Sequence, residues 1–134
     1  MTAPPAGGTP SGPRRVLLVE DDASLIDAYR MVLEPRGLEV VGANTASEAL
    51  ARLEEARPKA IVADLRLPDA HGPELLLALR KAAPEIPLLV LTGREPDRAR
   101  DAGDEIDVAG YMTKPVSGAE LAERIEELLR SSPG

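Results

Sequence analysis

Five short apolar runs constrain this chain more than any other feature: Val16–Val19, Leu38–Val41, Ala60–Ala63, Leu88–Leu91 and Ala109–Met112. They are nearly continuous rather than alternating, which is the pattern of strands buried on both faces. A segment of helical period follows each run. Leu25, Ile26, Tyr29 and Leu33 share one face of the first, and Ala46, Ala49, Leu50 and Leu53 one face of the second. Leu75, Leu76, Leu79 and Ala83 mark the third, and Leu121, Ile125, Leu128 and Leu129 the last. Strand–helix–strand crossovers are right-handed, so five such units predict an α/β fold, (βα)5, with an open, doubly wound parallel sheet. The expected strand order is 2-1-3-4-5, with a ligand crevice beyond the C-terminal ends of strands 1 and 3.

The helix boundaries support this division. Thr45 with Glu48, and Ser117 with Glu120, read as capping boxes, in which a hydroxyl and a carboxylate satisfy free N–H groups. Pro73 and Pro96 suit the first helical turn, while Gly37, Pro58 and Pro84 sit where helices should stop. The fourth helical segment, over about 96–106, contains Gly103 and few large apolar residues. Residues 1–13 are rich in Pro, Gly, Ser and Thr and read as a flexible tail. The expected domain therefore covers residues 14–130, with 131–134 as a frayed end. Met1 and this leader suggest a native start. A length of 134 residues leaves no room for an output domain, so a downstream effector is expected on another chain.

Composition removes several functions. There is no Cys, which excludes disulfide scaffolds, thiolate metal sites and cysteine nucleophiles. With 16 Lys+Arg against 23 Asp+Glu, the net charge of -7 argues against direct nucleic-acid or anionic-membrane binding. No Trp, no Phe and two Tyr leave no base-stacking platform. The chain has neither an apolar run of membrane-spanning length nor a secretory signal pattern, and a cytoplasmic protein is expected.

The crevice is where the sequence turns specific. Strand 1 ends in Val19-Glu20-Asp21-Asp22 and strand 3 in Ala63-Asp64. Carboxylates gathered there repel one another, and a hard divalent cation such as Mg2+ resolves the conflict. Asp22 reads instead as an acid at a helix N-terminus, whereas Asp21 and Asp64 each end an apolar strand rather than sitting on a solvated face. Thr92 ends strand 4 and Lys114 follows strand 5, so a hydroxyl and an ammonium face the same rim. Opposite a cation site they form a receptor for phosphoryl oxygens.

These motifs, VLLVEDD (16–22), VADLRLPDAHG (62–72), VLTGR (90–94) and GYMTKP (110–115), resemble those of the response-regulator receiver domains of two-component signalling, CheY-like and flavodoxin-like in fold. The resemblance covers about residues 15–130. It implies that Asp64 is the phosphoacceptor, taking a phosphoryl group from a sensor histidine kinase or phosphotransfer protein. It implies Mg2+, with Mn2+ as a substitute, held directly by Asp21 and Asp64, through water by Glu20, and by the main-chain carbonyl of Arg66. Thr92 and Lys114 would contact the phosphoryl group, and Tyr111 would be the switch residue beneath the fourth helical segment. The Lys114–Pro115 bond is expected to be cis. The face built from the fourth helical segment, the fifth strand and the last helix would control a partner. A phosphorylation-dependent homodimer is compatible with that.

The chain departs from the family pattern at a few positions. Glu20 stands where Asp is frequent, His71 where Asp or Asn is frequent, and Asp107 where Gly is frequent. Gly93 leaves the phosphoryl site open, and Arg66 and Arg94 flank it as candidates to influence acyl-phosphate hydrolysis. A receiver catalyses only its own phosphorylation and dephosphorylation, so no further enzyme activity is expected. The alternatives are a degenerate receiver used for docking and a haloacid-dehalogenase-like phosphatase. The latter wants a second Asp two residues after the first, where this chain has Arg66. A flavodoxin-like cofactor carrier would need a hydroxyl-rich phosphate loop in place of Glu20-Asp21-Asp22.

Overall fold

A computed structural model describes residues 14–64, 66–67, 70–92 and 108–131, with the backbone alone for 66–67, 70–73 and 131. The expected tail (1–13), the fourth helical segment (96–106) and residues 132–134 lie outside the described residues, as do Gly93, Arg94 and Asp107.

Each apolar run forms a strand: β1 (Arg14–Val19), β2 (Leu38–Ala43), β3 (Ala60–Asp64), β4 (Leu88–Thr92) and β5 (Gly110–Thr113). All neighbouring pairs are parallel, in the order β2-β1-β3-β4-β5. The α/β flavodoxin-like architecture read from the sequence is therefore the one observed. A two-residue antiparallel ribbon, Arg66–Leu67 with Ala70–His71, follows β3 and has no apolar run to announce it.

The strands feed two separate cores. Leu17, Val19, Ile61, Ala63, Leu88 and Val90 are buried against α2 (Ala46–Ala56) and α3 (Gly72–Ala82). Their neighbours Val16, Leu18, Val62, Leu89 and Leu91 are buried on the other face against α1 (Ala23–Leu33) and α4 (Gly118–Ser131). Alternate residues point to opposite faces, so a strand covered on both sides must be apolar throughout. Among the large helix side chains, Leu33, Leu75, Leu76, Leu79, Leu121 and Ile125 are fully withdrawn from solvent, as are the small Ala49 and Ala122. Tyr29 is buried as well, and its hydroxyl donates to the Val116 carbonyl at 2.9 Å, tying α1 to the segment before α4.

The caps explain where the helices begin. Asp22 accepts from the N–H groups of Ser24 and Leu25 and so caps α1, in the role read from the sequence. Ser117 and Glu120 form a reciprocal box, each side chain accepting from the other's N–H at 3.1 Å. The Thr45 box differs by one residue. Thr45 Oγ1 accepts from the Glu48 N–H, but Glu48 Oε1 accepts from the Asn44 N–H at 2.6 Å. α1 stops at Leu33 and passes through a 3-10 turn (Glu34–Arg36) to Gly37, whose φ of 85° suits glycine. α2 ends on Arg57 at φ 48°, a left-handed residue without the usual glycine, directly before Pro58.

Candidate functional site

Parallel strands all end on the same edge, so the residue that closes or follows each strand lands on one rim. Glu20 follows β1, and its N–H donates to the Ala43 carbonyl at 2.9 Å, continuing the ladder one step beyond the strand. Asp64 closes β3 and Thr92 closes β4. Lys114 follows β5, and its N–H donates to the Thr92 carbonyl at 2.7 Å. The Lys114–Pro115 peptide bond is cis.

Three carboxylates meet there. Glu20, Asp21 and Asp64 each offer an oxygen within 4.8 Å of the other two. Glu20 is 1% exposed and Asp64 6%, while Asp21 is exposed. The sequence singled out Asp21 as the acid withdrawn from solvent at the strand end. The structure gives that position to Glu20, because adjacent residues leaving a strand point opposite ways and Asp21 turns to the rim. Glu20 Oε2 accepts from the Asp22 N–H at 3.2 Å. Asn44 Nδ2 donates to the Glu20 main-chain carbonyl at 3.2 Å. Sequence reading passed over Asn44, and its one signal is position: it is the first residue after β2, beside the end of β1.

Lys114 lies between the two buried acids, donating to Asp64 Oδ2 at 2.5 Å and to Glu20 Oε1 at 3.0 Å. Burial pushes Glu20 up from 4.5 to about 7; the hydrogen bond from Lys114 opposes this and the charge of Asp64 adds to it. For Lys114 burial acts downward, but the hydrogen bonds to Asp64 and Glu20 outweigh it and hold the ammonium above its ordinary 10.5. One ammonium is thus shared by two acidic side chains that have lost most of their water.

The donor set fits a hard divalent cation. It is all oxygen, carries several charges, and is built on strand ends that the sheet holds in place. Thr92 is buried at the same edge, in register with Thr113. Tyr111 pairs in register with Val90 and packs, half-buried, against the core on the α2–α3 side. The Arg66 backbone lies in the ribbon just past Asp64, and the side chains of Arg66 and His71 lie outside the described residues. Among the described residues, no helix is long and apolar enough to cross a membrane.

Known proteins share both the sequence pattern and the fold. The family model described as "Response regulator receiver domain" matches residues 16–126. The chain is 38% identical over 120 residues to the transcriptional regulatory protein TrcR of Mycobacterium tuberculosis, covering 90% of this chain and 47% of that protein. It is 34% identical over 119 residues to the alkaline phosphatase synthesis transcriptional regulatory protein PhoP of Bacillus subtilis, covering 89% and 50%. The chain thus spans about half the length of these curated relatives. A receiver domain protein from Methanospirillum hungatei superposes with a TM-score of 0.84 at 32% identity, over 90% of this chain and 97% of that one. One from Clostridium thermocellum gives 0.79 at 25% identity, over 87% and 94%.

Proposed function

Since the chain belongs to the response-regulator receiver family, we propose that it is a phosphorelay switch that accepts a phosphoryl group on Asp64 in a Mg2+-dependent reaction. The observation that carries this reading is the meeting of Glu20, Asp21, Asp64 and Lys114 at one rim, with Asp64 and Glu20 both bonded to Lys114.

Asp21 and Asp64 would hold the cation directly and Glu20 through water, with the Arg66 carbonyl completing the protein ligands. Bound there, Mg2+ (or Mn2+) would neutralise charge gathering on the phosphoryl oxygens. The chain's own part follows from its geometry. One Asp64 oxygen attacks phosphorus roughly in line. The new bond is O–P; the bond that breaks is N–P in a phosphohistidine donor, whose imidazole nitrogen leaves with the electron pair and takes up a proton. Lys114 moves its ammonium from the bare carboxylate to the transferred group, whose oxygens carry about 1.5–2 negative charges. Thr92 supplies a hydroxyl from the neighbouring strand end.

Signal output is part of the same proposal. Drawing Thr92 toward the phosphoryl group would shift β4 against β5, where Tyr111 pairs with Val90. The equilibrium between two arrangements of the β5–α4 face then changes by the differential contacts phosphate makes in each. The partners would be a histidine kinase or phosphotransfer protein, in the cytoplasm, and an effector that reads this face.

Intact mass after incubation with acetyl phosphate and Mg2+ tests the reading. A labile phosphoryl adduct is expected, absent in Asp64→Asn and absent with chelator. No adduct on the parent chain would leave the docking module as the better account.

A further inference from the structure

The cation-binding loop leaves β1 with two acids in a row, one turned inward and one outward. Something must fix the peptide plane that joins them, because that plane determines where both carboxylates point. The peptide unit is rigid, so the Glu20 carbonyl and the Asp21 N–H turn together. A hydrogen bond to that carbonyl therefore sets the direction of Asp21 as well as of Glu20.

The bond comes from Asn44, whose side-chain Nδ2 donates to the Glu20 carbonyl at 3.2 Å. Asn44 is itself held: its N–H donates to Glu48 Oε1 at 2.6 Å. The Glu20 N–H is fixed from the same side by the Ala43 carbonyl. The segment Ala43–Asn44 thus grips Glu20 at both its N–H and its C=O. The Glu20 carboxylate is left to the Asp22 N–H and Lys114.

We propose that Asn44 is a positioning residue for the cation site: by holding the Glu20 carbonyl, its side-chain amide aims Glu20 and Asp21 toward Asp64. Asn44 touches neither the cation nor the phosphoryl group and acts through the peptide it holds. The inference deepens the proposed function, since it concerns the same cation site.

Two measurements on the full chain test it. Calorimetric titration with MgCl2 alone reads the site's affinity, and amide hydrogen exchange in chelator reads the order of residues 20–22. Asn44→Ala is expected to weaken Mg2+ binding by about tenfold, the lower end for partners that act through a ligand. It should also speed exchange at residues 20–22. Thr45→Ala removes the α2 cap one residue away without touching Glu20 and is expected to keep the parent affinity and exchange. Parental values in Asn44→Ala would overturn the proposal. So would equal losses in Thr45→Ala, since the effect would then belong to the start of α2 and not to the amide. If the parent binds no Mg2+, the cation reading itself fails, and the exchange rates alone then decide whether Asn44 orders the loop.

Discussion

At Lys114 two opposing demands meet, because the ammonium that pairs with Glu20 and Asp64 would compete with a divalent cation for the same oxygens. Lys114→Ala is therefore expected to bind Mg2+ several-fold more tightly in calorimetry while slowing phosphorylation by acetyl phosphate. Equal or weaker binding would show that the ammonium does not compete. Glu20 gives a second prediction. Its folded value of about 7 lies above the 4.5 expected when unfolded, so between these values the folded state holds the proton more often. Stability then falls as pH rises, which makes Glu20's contribution full below the unfolded value and lost as pH passes through the folded one. Melting temperatures in chelator should drop from about pH 5 to about pH 8 more steeply in the parent than in Glu20→Gln. Lys114 stays charged over this range, its own value being raised. Mg2+ binds the deprotonated carboxylate, so its affinity should rise across the same interval.

Between elements, the α1–α4 contact decides a contest that sequence alone would misjudge. Gly118 opens α4, where Ala is the better helix former by up to about 1 kcal/mol. A Cβ there would lie 2.7 Å from Val32 Cγ2 and 2.8 Å from its Cβ on α1. Overpacking of that kind costs about 1–3 kcal/mol, so Gly118→Ala should lower the melting temperature, and Val32→Ala in the same chain should recover part of the loss. Ser117→Ala, which removes a hydroxyl from the reciprocal cap of α4, should cost about 1 kcal/mol in denaturant unfolding. The strands and the helix stripes were legible in the sequence because each is a local periodic pattern. Their ends were less so: β2 runs two residues past its apolar run to Ala43, and β5 starts at Gly110, not Ala109. Hydrogen-bond pairing with the neighbouring strand sets those limits. Arg57, too, is left-handed with no glycine to mark it.

In the whole molecule, the site joins residues that the chain keeps far apart, with Glu20 and Lys114 separated by most of the sequence. A cation that binds only this assembled arrangement must stabilise the fold. At a concentration about 100 times its Kd, Mg2+ should add about 2.7 kcal/mol. Thermal melts should rise with MgCl2 in the parent and much less in Asp64→Asn, and equal rises would place the cation elsewhere. By itself the sequence determined the five parallel strands, their order and the rim on which Glu20, Asp21, Asp64, Thr92 and Lys114 gather. Periodicity and strand ends are properties of neighbouring residues, and a parallel sheet sends every strand end to one edge. Only the tertiary structure decided that Glu20 rather than Asp21 is withdrawn from water, that Lys114 bridges two acids, and that Asn44 holds the loop. Those outcomes depend on how β1, β2, β3 and β5 lie against one another, and no local stretch of sequence contains that register.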